Sequence, residues 1–194
     1  MRRKGTVFLL GALCLVAASA VSAAAQSRQY VQGQVVGIGG RRAGLNQPFS
    51  LTVNHYSSPG DVQQLNRALS SGGQDELLGV LSRLDAGRVS IGNNVGVKAN
   101  AVIATPTAEG GTKLIVLYER NVAIFELRYG ARSADYRFGY AEIYLDARGR
   151  GQGTFIPAAK VKLEGDNNWV VEDFGEFPAR LLGLRSTGRV GGAR

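Results

Sequence analysis

From Phe49 onward the chain alternates. Phe49, Leu51 and Val53 interleave with Ser50, Thr52 and Asn54, a period of two that places apolar side chains on one face of an extended strand. His55 continues the apolar parity. Beyond Arg88 nearly every segment repeats the pattern. Strands are predicted over residues 88–92, 97–105, 112–120, 122–129, 136–146, 153–164, 169–174 and 178–185, each bounded by turn-forming residues. The clearest hairpin turns are Glu109-Gly110-Gly111, Asp146-Ala147-Arg148-Gly149 and Gly165-Asp166-Asn167-Asn168. The 27 glycines among 194 residues, about twice the usual share, fit many tight turns better than long helices. Such a chain is expected to be α+β and mostly β: an antiparallel sandwich or partly closed barrel of eight to nine strands.

One region breaks the period. Ser58 offers an N-cap hydroxyl, Pro59 a first helical position and Asp61 the acid three residues after the cap; Val62, Leu65, Ala68 and Leu69 then share a face. Gly72-Gly73 is expected to end this helix. A second, from Gln74 to about Leu84, carries a stripe of Leu77, Leu78, Leu81 and Leu84 and closes before Gly87. The two form an early αα-hairpin that must lay both stripes on the sheet.

The ends read differently. Residues 1–25 run from basic Arg2-Arg3-Lys4 through an apolar stretch, Val7 to Ala18, to Ala23-Ala24-Ala25, the pattern of a secretory signal peptide cut after Ala25. The apolar stretch is shorter than the roughly 20 residues a bilayer span needs, so no membrane span is expected after cleavage. Cys14, the one cysteine, lies inside that stretch, leaving the exported chain without thiol chemistry. Residues 26–47 form a Gly-rich lead-in or a marginal first strand, 48–186 a single globular domain, and 187–194 a flexible tail. The address is thus export, to the periplasm or beyond.

Scarcity excludes much chemistry. One histidine, one cysteine, one methionine and one tryptophan leave no Cys/His metal site, iron–sulfur cluster, haem attachment or Ser/His/Asp triad, and no cofactor or metal is expected. The formal charge of +8 lies at the ends; between Pro48 and Ser186, fifteen acids face fifteen bases. Without a concentrated basic face, nucleic acid is not expected as a partner.

Several segments resemble a known family. They are the runs Leu51-Thr52-Val53-Asn54-His55-Tyr56-Ser57-Ser58, Gln63-Gln64-Leu65-Asn66-Arg67-Ala68-Leu69, Gly72-Gly73-Gln74-Asp75-Glu76-Leu77-Leu78 and Arg83-Leu84-Asp85-Ala86-Gly87-Arg88-Val89. Asp135-Tyr136-Arg137-Phe138 and Leu145-Asp146 follow. Together they resemble a family of uncharacterised secreted bacterial proteins across about residues 49–185. The resemblance supports the domain limits and implies no activity. The family favours tryptophan where Tyr56 stands, so any pocket filled by that aromatic differs here.

Candidate sites are few. His55 reads as a buried or strand-end histidine rather than a catalytic base. Arg88-Val89-Ser90-Ile91-Gly92 lacks the first glycine of a nucleophile elbow, and Gly37-Ile38-Gly39-Gly40 lacks the helix and last glycine of a dinucleotide fingerprint. Carboxylates for glycoside hydrolysis would come from Glu126, Glu142, Glu172, Asp173 and Glu176, whose separations no spacing fixes. Asp146 and Asp166 sit in turns too poor in oxygen ligands for calcium. The most informative strand is 136–146. Tyr136, Phe138, Tyr140, Glu142 and Tyr144 share a parity, opposite Ala141, Ile143 and Leu145 on the core side. Tyr140, Glu142 and Tyr144 are the candidate ligand-binding residues, an aromatic platform with a carboxylate handle. The competing reading, and the favoured one, is cross-strand packing beneath the helical hairpin. The expected function is a non-catalytic binding or interaction module of the bacterial envelope, whose partner is an unknown small ligand or envelope protein. A carboxylate-dependent envelope hydrolase and a structural accessory protein are the alternatives.

Overall fold

The computed structural model describes residues 28–39, 43–120, 135–165 and 168–187. The expected signal peptide, the strand over 122–129 with Glu126, and the tail beyond Thr187 lie outside the described residues.

Ten antiparallel strands and one helical element follow one another as β1 (Gln29–Gly37), β2 (Asn46–Val53), α1 (Pro59–Leu81), β3 (Gly87–Ile91), β4 (Val97–Ala99), β5 (Ala101–Pro106), β6 (Thr112–Glu119), β7 (Phe138–Leu145), β8 (Arg150–Glu164), β9 (Asn168–Phe174) and β10 (Ala179–Thr187). They build one sheet in the order β4-β3-β2-β1-β10-β8-β7-β6-β5, with β9 paired to the distal half of β8. The pairing path is open, since β4 and β5 are its ends and each has a single partner. The stretch read as a lead-in or marginal strand is β1, near the middle of this order, and the sheet begins at Gln29 rather than near Pro48.

Alternation explains the register. One row crosses the sheet through Ala104, Leu114, Ile143, Gly153, Leu181 and Val35; the next runs through Val102, Val116, Ala141, Phe155, Ala179 and Gly37. Both rows belong to one buried cluster, which also holds Leu51, Val53, Val89 and Ala99. Residues of β4 and β5, the two ends of the path, therefore meet the same core as Val31 in its middle. A flat sheet cannot do that, so the sheet curls about this face. Between Ala99 and Ala101 stands only Asn100, and it is 2% exposed. Its Nδ2 donates to the Leu84 carbonyl at 3.1 Å, while its Oδ1 accepts from the Glu119 amide at 2.8 Å. One buried side chain thus ties the link between the two ends to β6 and to the end of the helical region.

The opposite face is apolar only in part. Ile115, Leu117, Phe138, Tyr140, Ile156, Val161 and Trp169 form a second cluster with Leu65, Leu77 and Leu81 of α1. The capping box starts α1 as expected: Ser58 Oγ accepts from the Asp61 amide at 3.1 Å, and Asp61 Oδ2 accepts from the Ser58 amide at 2.9 Å. The two helical stretches follow one another across a kink in one element of 23 residues rather than as an αα-hairpin, and the break falls at the expected glycine pair, where Gly73 takes φ 67° and ψ −149°. That conformation favours glycine. Both halves bury leucines against the same sheet surface, so the break redirects the chain without starting a second layer. Gln74 fixes the point of redirection, its amide donating to the Val161 carbonyl at 2.6 Å and accepting from the Val161 amide at 3.2 Å. A local close approach sets another position: a Cβ on Gly139 would lie 1.8 Å from the ring of Tyr118, its cross-strand partner.

Replacing Asn100 with alanine leaves the Glu119 amide and the Leu84 carbonyl without partners. It is expected to cost about 1–3 kcal/mol in urea unfolding. Asn94→Ala, on an exposed turn, should cost less than about 0.5 kcal/mol. Equal, small losses at both positions would show that the sheet ends hold together without this link.

Candidate functional site

The outer face of β7 changes character along its length. Phe138 and Tyr140 lie under α1, Tyr140 at 1% exposure, whereas Tyr144, four residues further, is 46% exposed. The platform of four accessible aromatics is therefore not what the sheet presents. Tyr136 is also buried, with its hydroxyl donating to Asp173 Oδ2 at 2.5 Å and Lys160 Nζ 5.5 Å from its ring centre. Packing beneath the helix accounts for Phe138 and Tyr140, contacts with β8 and β9 bury Tyr136, and of the four only Tyr144 reaches solvent.

Glu142 sits at the boundary and gathers its neighbours. Lys113 Nζ approaches Oε1 at 2.8 Å, the Tyr144 hydroxyl donates to the same oxygen, and the Tyr140 hydroxyl lies 3.3 Å from Oε2. Tyr140 also donates to the Trp169 carbonyl at 3.1 Å, so its hydroxyl is held from two sides. The cross-strand register makes this possible: Lys113 of β6 stands opposite Tyr144 and diagonal to Glu142. Its ammonium lies 5.6 Å from the Tyr144 ring centre, within cation–π range. Of these partners Lys113 was not anticipated, although its break in the apolar run of β6 was visible.

The electrostatics follow from burial and pairing. Partial burial pushes the Glu142 carboxyl upward, but hydrogen bonds from Lys113, Tyr144 and Tyr140 and the Lys113 charge outweigh it, holding the group below its ordinary value. Burial depresses Lys113, yet its bond to Glu142 leaves it raised. The Tyr144 hydroxyl is raised by its bond to Glu142 and by burial; Tyr140 is raised mainly by burial. Near neutrality this is a fixed charge pair with two protonated phenols. A carboxylate so held accepts hydrogen bonds and has no proton to give.

Beside it opens a groove of about 690 Å³, lined by Thr107, Glu109, Tyr144, Asp146, Arg150 and Gln152 among others. Asp146 is committed to the β7–β8 turn, its Oδ1 accepting from the Arg148 and Arg150 amides at 2.9 and 2.8 Å. Gln152 faces Tyr144 across the β7–β8 ladder. The groove thus offers an aromatic ring, an amide, a hydroxyl and charges of both signs.

The remaining candidates lie apart. His55 is exposed at the end of β2, and Tyr56 packs on the inner cluster, its hydroxyl donating to Gln29 Oε1 while Gln29 Nε2 donates to Ser186 Oγ at 2.6 Å. Arg120 approaches Glu176 at 3.9 Å, so Glu176 and Asp173 are both engaged away from Glu142. Among the described residues no group of three His, Cys, Asp or Glu is placed to hold a metal ion, and no helix is long and apolar enough to cross a membrane. The chain matches no family model, no curated protein and no solved structure.

The pair predicts a stability plateau. Glu142, with a lowered native value, contributes above the ordinary carboxylate range and loses that contribution as pH falls through its native value. Lys113, with a raised value, contributes below the ordinary ammonium range and loses it as pH rises further. The difference in urea midpoint between wild type and Glu142→Gln should therefore be flat from about pH 5 to about pH 10 and shrink outside. Its size should stay under about 1 kcal/mol, because both groups are partly solvated. A difference that peaks inside that window would refute the assignment of charges.

Proposed function

We propose that this chain is an exported, non-catalytic binding module of the bacterial envelope, and that its groove beside Tyr144 takes an uncharged sugar residue of a glycan. One observation carries the reading: the exposed Tyr144 ring is held in place before any ligand arrives. Its hydroxyl is fixed on Glu142 and its ring lies beside the Lys113 ammonium. A prepositioned ring loses little conformational freedom on binding, so more of the contact energy appears as affinity. Sugars match the surroundings. Their C–H faces stack on aromatic rings, and their hydroxyls exchange hydrogen bonds with amides such as Gln152 and with charged rims such as Glu109 and Arg150.

Export rests on the basic, apolar and small-residue order of the first 25 residues. On this reading the curled sheet is a partly closed barrel. The sharing of one core by β4, β5 and β1, and the one-residue link at Asn100, support that description.

Calorimetric titration with chitotetraose and maltoheptaose, both uncharged, tests the proposal. At least one is expected to bind, with Tyr144→Ala weakening it about tenfold, or 1.4 kcal/mol, while the melting temperature changes by less than about 2 °C. Absence of heat with both glycans, or binding indifferent to Tyr144→Ala, would remove the site.

A further inference from the structure

A second groove, of about 1170 Å³, separates the first half of α1 from β5, and its lining shares no residue with the groove at Tyr144. One wall is Ile103, Ala104 and Thr105; the other includes Gln63, Asn66 and Arg67. Among the described residues Arg67 is the one charged residue of the lining, which holds no carboxylate.

The β5 wall is a sheet edge. Among the described residues β5 pairs with β6 alone, and in an antiparallel ladder alternate residues turn their backbone groups away from the partner. Val102 is one of these, and its outward groups are taken by Ser57: the Val102 amide donates to Ser57 Oγ at 3.1 Å, and its carbonyl accepts from the Ser57 amide at 2.8 Å. Ala104, two residues on, turns the same way, and no described residue bonds its N–H or C=O. Ser57 therefore occupies the first position of a strand along β5, and the next position lies open in the groove. Across from it the Arg67 guanidinium donates to Gln63 Oε1 at 3.1 Å and makes no ion pair among the described residues.

We propose that this groove seats an extended segment of a partner protein, added to the sheet at Ala104 and carrying an acidic side chain that pairs with Arg67. An edge with open donors and acceptors is a template for strand addition, which supplies affinity from the backbone. The guanidinium opposite supplies selectivity, because its fork matches a carboxylate. A basic segment would meet Arg67 with no carboxylate among the described residues of the lining.

The probe is a capped hexapeptide, Thr-Val-Glu-Val-Thr-Val, compared with the same peptide carrying lysine for glutamate and with a backbone N-methylated form. The glutamate peptide is expected to bind the purified protein, with the lysine and N-methylated forms each at least about fivefold weaker. Ala104→Pro removes an N–H that faces the groove rather than β6, a substitution edge strands tolerate, and should weaken binding about fivefold. Arg67→Glu, on the exposed side of α1, should reverse the preference between glutamate and lysine peptides. Failure of the glutamate peptide to bind, equal binding of all three, or an Arg67→Glu protein with unchanged preference would overturn the proposal. So would sedimentation showing a dimer that Ala104→Pro abolishes, since the occupant would then be a second copy. Glycan titration reads the other groove, so either proposal can fail alone.

Discussion

β6 and β7 have to bury side chains on both faces, and one kinked helix is what covers the outer one. Leu114 and Val116 point into the curl of the sheet, while Ile115 and Leu117 point out beneath Leu65, Leu77 and Leu81. Each leucine removed from water contributes on the order of 2 kcal/mol, so the helix cannot leave without exposing a second core. Yet α1 is shorter than the face it covers. Where its cover stops along β7, the outer positions pass from buried Tyr140 through half-covered Glu142 to open Tyr144. Where it stops short of β5, a groove remains beside an open strand edge. Both surfaces proposed for binding are margins of one incomplete layer.

The charge cluster makes the first margin rigid. Removing Glu142 from water partway would be unfavourable alone, but Lys113 and two phenols supply partners within hydrogen-bond reach. The same contacts pin Tyr144, the aromatic ring of β7 that faces solvent. Tyr140 does this from below, anchored in turn to the Trp169 carbonyl. A buried aromatic that looked like part of a ligand platform is instead a support for the residue that reaches the groove.

Most strand positions after Arg88 and the start of the helix were legible because they depend on local rules: two-residue alternation, turn chemistry and a capping box. The strand expected over 97–105 is instead two, β4 and β5, broken at Asn100, and the one over 122–129 lies outside the described residues. β1 was not legible. Its inward residues Val31 and Val35 flank Gly33, and Gln32 and Gln34 fill the other parity, a weak pattern that becomes a strand through pairing with β2 and β10 along its length. The break at Gly73 and the packing of both leucine stripes on the sheet were legible too; how the chain is redirected there was not, since a glycine pair does not fix the direction of the next turn. Of the candidate site, the parity of Tyr140, Glu142 and Tyr144 was readable, while the contrast between them and the arrival of Lys113 were not.

Sequence by itself therefore determined a mostly antiparallel β chain with one early helical insertion, a core parity for each clear strand, and a chain with a single cysteine and a single histidine. These follow from side-chain type and spacing, which act over a few residues. Only the tertiary structure decided which aromatic stays exposed, which cation meets Glu142, and which strand edge is left open. Those outcomes depend on register across strands and on where the cover of the kinked helical element ends over the sheet, and both are set by contacts between residues far apart in the chain.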